Sequence, residues 1–285
     1  MALDRMMEYP ENIPGFDGKT KTRQFTVEFK SCFTLFNLTL VHKHTSNPVS
    51  LLVTPEALVF ESAIDDAAIA IRSIFSSDLL RPFNVEQTFV GTIKGTIFHS
   101  LSRWAKIKVS TVRLCLEAGV LCFHGLDALN EIVVSQQCIV LNTLFRVINL
   151  DYNDYLYKRT VSLHDLVDAM KVVPPAFVLT AEENGSRLVF SGYDSTGESR
   201  VVVRCNTDEK GTHCRVQSDM ELCFMKNQFD PLVCFLKNSM YVTIGFHPGK
   251  PLMLCLYPTV TLSCMTPESS MIQFFLVPFR RSDDT

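Results

Sequence analysis

Leu58-Val59-Phe60-Glu61-Ser62 returns as Leu188-Val189-Phe190-Ser191-Gly192, about 130 residues further along the chain, a separation far beyond any solenoid period. The segments around it return in the same order at about the same offset. The amphipathic stretch from Glu28 to Val41 is matched by Val161 to Lys171, and the helix-like Gly91 to Lys106 by Asn227 to Lys237. The strand-like Val109 to Glu117 is matched by Tyr241 to Phe246. A repeat this long predicts two similar domains, and two such domains side by side present one extended surface. The expectation is a binding or ring-forming scaffold, not a pocket enzyme.

The chain has 285 residues, enough for two domains that each bury a core. A hydrophobic fraction of 47% with 20% charged residues excludes wholesale disorder. A net charge of −3 excludes a generally basic nucleic-acid binder, so any contact with DNA must come from a local stripe of cations. Met1 to Arg23 is polar and of mixed charge, without the apolar core of a signal peptide. No run of about 18 apolar residues is present to span a bilayer. The 10 cysteines include no Cys-x-x-Cys pair, and most sit in apolar patterns such as Val112-Arg113-Leu114-Cys115-Leu116 and Leu252-Met253-Leu254-Cys255-Leu256. They read as buried thiols of an intracellular protein, with a disulfide framework or a zinc site as the alternative.

Strand signals dominate, so the expected class is α+β with few helices. Strands are expected near Gln24–Phe29, Val49–Val53, Ala57–Ile64, Ala67–Ser73, Val85–Val90, Val109–Glu117, Val120–Gly125 and Asn130–Gln137. In the second half they fall near Tyr155–Thr160, Ala176–Glu182, Arg187–Gly192, Arg200–Cys205, Cys214–Ser218, Met240–Phe246, Pro251–Tyr257 and Met271–Val277. Helices are expected over Lys30–His42 and Gly91–Lys106, with Ser162 and Asp165 as a capping box for the next. Asp230-Pro231 offers a start for the last helix, and Asn184-Gly185 a tight hairpin turn. These boundaries divide the chain into a polar segment (1–23), a first domain (24–137), a linker (138–154), a second domain (155–279) and a tail (280–285).

At about 100° per residue, Ile93, Ile97, Phe98, Leu101, Trp104 and Ala105 gather on one side of Gly91–Lys106. The opposite side carries Thr92, Gly95, His99, Ser102, Arg103 and Lys106. Such a sparse basic stripe can face phosphate, or be an ordinary solvated face. Lys30 and Lys43 add charge from the first helix, and His164, Lys171, Lys226 and Lys237 from the second half, where Asp165 and Asp168 dilute it. An enzyme has less support. Asp65-Asp66 would point to opposite faces of a strand. Cys122 and His124 share a face without a third group placed by spacing. No phosphate-binding glycine loop, Gly-x-Ser-x-Gly or metal-spaced histidines occur. No catalytic residue, cofactor or metal site is therefore expected.

Strand–helix–strands–helix–strands, written twice around a surface linker, resembles the DNA sliding clamps along most of the chain. Leu58 to Asp65 resembles the family strand ending in Met-Asp, with Ile64 at the methionine position. Pro251-Leu252-Met253-Leu254 resembles its Pro-Leu strand, and Phe274-Phe275-Leu276-Val277-Pro278 its Tyr-Tyr-Leu-Ala-Pro ending. Phe98-His99-Ser100-Leu101 and the loop Phe246-His247-Pro248-Gly249-Lys250-Pro251, one residue short, are similar to the nine-type subunit of the heterotrimeric DNA-damage checkpoint clamp. Nine-type subunits usually carry a long phosphorylatable tail, whereas this sequence ends at Thr285.

The resemblance implies a DNA clamp fold, with antiparallel sheets outside and amphipathic helices lining a ring bore. It implies a non-catalytic, nuclear subunit that joins two other clamp-like chains around double-stranded DNA. A clamp loader and repair or signalling proteins would be its partners, and the homotrimeric replication clamp is the alternative. The DNA-facing residues would be Lys30, Lys94, His99, Arg103, Lys106, Lys171 and Lys237. A partner-peptide pocket would form from Ile64, Phe145, Val147, Pro251, Phe275 and Pro278.

Overall fold

The computed structural model describes residues 7–8, 25–29, 35, 41–42, 48–64, 68–85, 88–104, 107, 109–117, 120–140, 147–155, 157–182, 186–205, 221–236, 239–247, 249–257 and 270–279. Short apolar runs become strands throughout. The first are β1 (Met7–Glu8), β2 (Thr26–Phe29), β3 (Val49–Val53), β4 (Ala57–Ile64) and β5 (Ile69–Ser76). Next come β6 (Leu80–Asn84), β7 (Phe89–Ile93), helix α1 (Ile97–Trp104), β8 (Thr111–Glu117), β9 (Val120–Leu126) and β10 (Ile132–Ile139). Then β11 (Val147–Ile148) and β12 (Tyr157–Ser162) lead into helix α2 (Leu163–Val172), β13 (Ala176–Ala181), β14 (Arg187–Asp194) and β15 (Gly197–Arg204). The described chain closes with β16 (Glu221–Met225), a 3-10 helix (Lys226–Phe235), β17 (Tyr241–Phe246), β18 (Leu252–Leu256) and β19 (Ser270–Leu276).

The class is α+β, dominated by antiparallel sheets. A five-stranded sheet runs β10-β9-β8-β2-β6, a four-stranded one β15-β14-β13-β16, and β1 pairs with β11. The largest sheet has eight strands in the order β12-β17-β18-β19-β5-β4-β3-β7. It draws four strands from each half, and the seam is the antiparallel pair β19–β5, from Ser270↔Phe75 to Leu276↔Ile69. The strand orders repeat. β10-β9-β8-β2 is mirrored by β19-β18-β17-β12, and β5-β4-β3-β7 by β15-β14-β13-β16. The two copies of the Leu-Val-Phe motif lie on β4 and β14, at equivalent places in this scheme.

Aromatic packing repeats as well. Phe60 on β4 meets Phe98 of α1 edge-on at 5.6 Å. In the other half Phe177 contacts Phe190 of β14 at 5.7 Å and Phe229 of the 3-10 helix at 5.6 Å. Each fully buried Phe contributes roughly 1.5–3 kcal/mol of hydrophobic stabilisation. Of the capping box expected at the α2 start, the Ser162 half is seen: Ser162 Oγ accepts from the Asp165 N–H at 3.3 Å.

His42 is buried in this core. Its ring nitrogens contact Ser62 Oγ at 2.7 Å and Ser73 Oγ at 2.8 Å, and its ring lies beside Phe60 and Phe98. Burial pushes its pKa from 6.5 down to about 3. The unfolded chain therefore takes up the proton first. Stability is whole above pH 6.5 and falls as the pH drops from 6.5 towards 3. The loss is about 1.4 kcal/mol per pH unit in that window, or about 2 kcal/mol at pH 5. Urea unfolding of wild type and His42→Gln at pH 7.5 and pH 5 measures it, and equal slopes in both proteins would count against this origin.

Several elements differ from the sequence expectation. Gly91–Lys106 is not one helix: Phe89–Ile93 is a strand paired with β3, and α1 starts only at Ile97. Apolar spacing through Val90, Ile93 and Ile97 runs across both elements and hides the break. Gly91 marks it, because a Cβ there would lie 2.5 Å from Val140 Cγ1. Thr92 and Gly95 are consequently buried and do not belong to the outer stripe. β6 takes up Leu80–Asn84, ahead of the strand expected at Val85–Val90. The last helix starts at Lys226, with Gln228 Oε1 accepting the Met225 N–H at 2.9 Å. It is 3-10, and Pro231 lies inside it, where its missing N–H breaks the ladder an α-helix requires. Of Lys30–His42, Leu35, Val41 and His42 are described and helical. Asn184-Gly185, Asp65-Asp66 and Cys214–Ser218 lie outside the described residues. Among the described residues no helix is long and apolar enough to cross a membrane.

Candidate functional site

Two sheet edges stand out. β10 pairs with β9 and β15 with β14, and neither has a second partner among the described strands. Both present apolar side chains to solvent, which an unused edge normally avoids. On β10, Ile132 is 58% and Ile139 is 74% exposed. On β15, Val202 is 46% exposed, and Val172 at the end of neighbouring α2 is 64% exposed. Between α2 and β15 lies an open cleft of about 460 Å³, with Asp165 and Asp168 on one wall and Val202 and Arg204 on the other.

The outward faces of the helices carry the charges. On α1, Ile97, Phe98, Leu101 and Trp104 are buried, while His99 and Arg103 are exposed. Lys94 is exposed in the turn before it. On α2, His164, Asp165, Asp168 and Lys171 face solvent, and Lys171 Nζ lies 2.5 Å from Asp168 Oδ1. That ammonium holds the Asp168 carboxyl below the usual range. The charge Lys171 could offer an anion is thus partly offset by its neighbour. Lys226 turns instead to the C-terminus of α2, donating to the Lys171 and Val173 carbonyls at 3.2 and 3.3 Å. Lys30, Lys106 and Lys237 lie outside the described residues.

The residues expected to form a peptide pocket fall around the connecting segment. Phe275 is fully buried in a second small core with Ala63, Ala70, Met253 and Cys255. The chain between the two halves covers it: Ile148 and Tyr155 are buried there, with Leu150 and Tyr152 packed alongside. Ile64, Pro251 and Pro278 are half-buried, and the Pro251 carbonyl accepts from the Tyr155 hydroxyl at 3.0 Å. Val147 belongs to β11, and Phe145 lies outside the described residues.

What fixes the connecting segment is a buried clasp that sequence reasoning missed. Arg72 Nε donates to Glu61 Oε1 at 2.7 Å. Its Nη1 donates to the Leu150 carbonyl at 2.6 Å and its Nη2 to the Ile148 carbonyl. Glu61 Oε2 in turn accepts the Ile148 N–H at 3.1 Å. The guanidinium also lies 5.7 Å from the Phe275 ring centroid. Burial raises the Glu61 pKa, and Arg72 opposes that rise. The signal was a glutamate within Leu58-Val59-Phe60-Glu61-Ser62-Ala63-Ile64, a strand buried on both faces, where a charge needs a partner.

No known protein-family profile matches the chain, and no curated protein matches it.

Proposed function

We propose that this chain is a non-catalytic subunit of a heterotrimeric, ring-shaped checkpoint clamp, acting in the nucleus on DNA at damage or recombination sites. One observation carries the reading. β10 and β15 are the counterparts of β19 and β5, and β19 and β5 are the edges already joined inside the chain. Pairing β10 of one subunit with β15 of the next repeats the internal seam head to tail. A heterologous join whose rotation closes makes a ring. Main-chain hydrogen bonds supply the contact, and the exposed apolar side chains on both edges are buried by it.

Within such a ring α1 and α2 face the bore, and Lys94, His99, Arg103 and Lys171 approach phosphates there. DNA is held by topology, so a chain of net charge −3 needs only weak, sequence-blind attraction. A loader places the ring, and repair or signalling proteins dock on its outside. Replacing Lys94 and Arg103 with alanine leaves the ring intact and speeds its loss from circular DNA. Measured against salt, the logarithmic slope falls by about 1 for each phosphate contact removed. An unchanged slope would remove these residues from the bore.

Assembly tests the function itself. The purified 32.2 kDa chain is expected to scatter as a monomer and to form a three-chain ring when mixed with two other clamp-like chains. A chain that stays monomeric in their presence overturns the proposal. A mass of about three chains for the protein alone replaces it with the homotrimeric processivity factor.

A further inference from the structure

We propose that Cys115, Cys122 and His124 form a Zn²⁺ site on the outward face of the five-stranded sheet. The β8–β9 hairpin sets Cys115 directly opposite Cys122, and Arg113 opposite His124. Cys122 and His124, two apart on β9, point to one side. The two sulfurs and a ring nitrogen all lie within 4.8 Å of one another. A single tetrahedral ion with bonds of about 2.3 Å to sulfur and about 2.0 Å to nitrogen gathers its ligand atoms to roughly 3.5–4 Å, a small closure from this arrangement.

A second observation points the same way. His124 Nδ1 is shut off from solvent and has no hydrogen-bond partner among the described residues. A buried polar atom left this way is costly, and a metal ion supplies what it lacks. Both sulfurs are also shielded, with Cys115 5% and Cys122 2% exposed. The Cys122 thiol lies 3.8 Å from the Val120 carbonyl, a long sulfur contact that a metal bond outweighs.

The donor set selects the ion. Two thiolates and an imidazole suit borderline or soft metals and not Mg²⁺ or Ca²⁺. Two thiolate charges cancel those of Zn²⁺, so the loaded site is neutral in a half-buried place. The neighbouring cation, Arg113, is matched by Glu28 at 3.0 Å on the same face. Cys138 pairs with Leu121 in the ladder and faces the other way, so it is not a ligand. Water takes the fourth position. Binding breaks two S–H bonds, forms two Zn–S bonds and one Zn–N bond, and releases two protons without any change of oxidation state. The ion would staple β8 to β9 beside the open strand β10, whatever docks there.

The full-length chain, reduced and stripped with a chelator, is titrated with Co²⁺ and then Zn²⁺. The expected result is about one Co²⁺ per chain, with thiolate-to-cobalt charge transfer and the intense visible bands of a tetrahedral ion. One equivalent of Zn²⁺ bleaches them, and about two protons are released per ion bound. Cys122→Ser and His124→Gln each weaken Co²⁺ binding at least tenfold, while Cys234→Ser, at an exposed thiol, changes nothing. Circular dichroism checks folding, and His124→Gln, at the least buried ligand, carries the test if Cys122→Ser does not fold. No charge-transfer band, or a band that survives in folded His124→Gln, overturns the site.

Discussion

Arg72→Met is expected to cost roughly 3–5 kcal/mol of unfolding free energy, the usual penalty for removing one partner of a buried ion pair. Glu61 would be left buried and uncompensated, and the Ile148 and Leu150 carbonyls would lose their donors. The defect should depend on pH with a definite sign. Burial already raises the Glu61 pKa, so its carboxyl resists ionisation in the folded protein. Removing Arg72 raises it further. A raised carboxyl pKa means stability that is present at low pH and lost as the pH rises through the folded value. The gap between variant and wild type therefore narrows on acidification. Denaturant unfolding at pH 7.5 and pH 5 reads both effects. The double variant Arg72→Met/Glu61→Leu should recover part of the loss, because an apolar pair removes the stranded charge. A single variant as stable as wild type would show that the clasp does not hold the connecting segment.

The second large effect concerns assembly. Glutamate at Val202 on β15, or at Ile139 on β10, should weaken ring formation at least tenfold, about 1.4 kcal/mol or more, by placing an unpaired charge in a closed seam. The isolated chain should unfold as before within about 0.5 kcal/mol, since both sites are exposed. The two variants should differ in kind. In a head-to-tail ring each edge meets a different neighbour, so each variant loses one partner and keeps the other. Mixing each variant with the two partner chains and weighing the complexes by light scattering separates the cases. Variants that both assemble like wild type would rule out these edges.

Much of the layout was legible because it is local. Short apolar runs such as Ala57–Ile64 and Val49–Val53 have the bounds their residues predict, and the Leu-Val-Phe repeat falls on equivalent strands. β6 was not legible, because Pro82 speaks against a strand; it survives there at a sheet edge, where a missing N–H is tolerated. The β19–β5 seam was out of reach for a different reason: periodicity carries no information about which distant strand is the partner. The cysteine cluster could have been found. The antiparallel pairing of β8 with β9 makes Cys115 and Cys122 opposite numbers, whereas Cys-x-x-Cys spacing carries no information about strand register. For the helix faces, residue type gave the apolar side of α1 correctly, while the pairing of Lys171 with Asp168 depended on side-chain geometry.

The internal seam also governs how the protein is made. Arg72 and its contact Gln273 are 201 residues apart, so β5 emerges from the ribosome long before its partner strand exists. At typical synthesis rates of about 5–20 residues per second, its edge waits on the order of 10–40 s with main-chain groups unpaired. Until β19 arrives the nascent chain offers a ready template for wrong pairing. Slow completion and exposure to mispairing are thus built into a sheet whose middle is closed by β19, the last of the described strands.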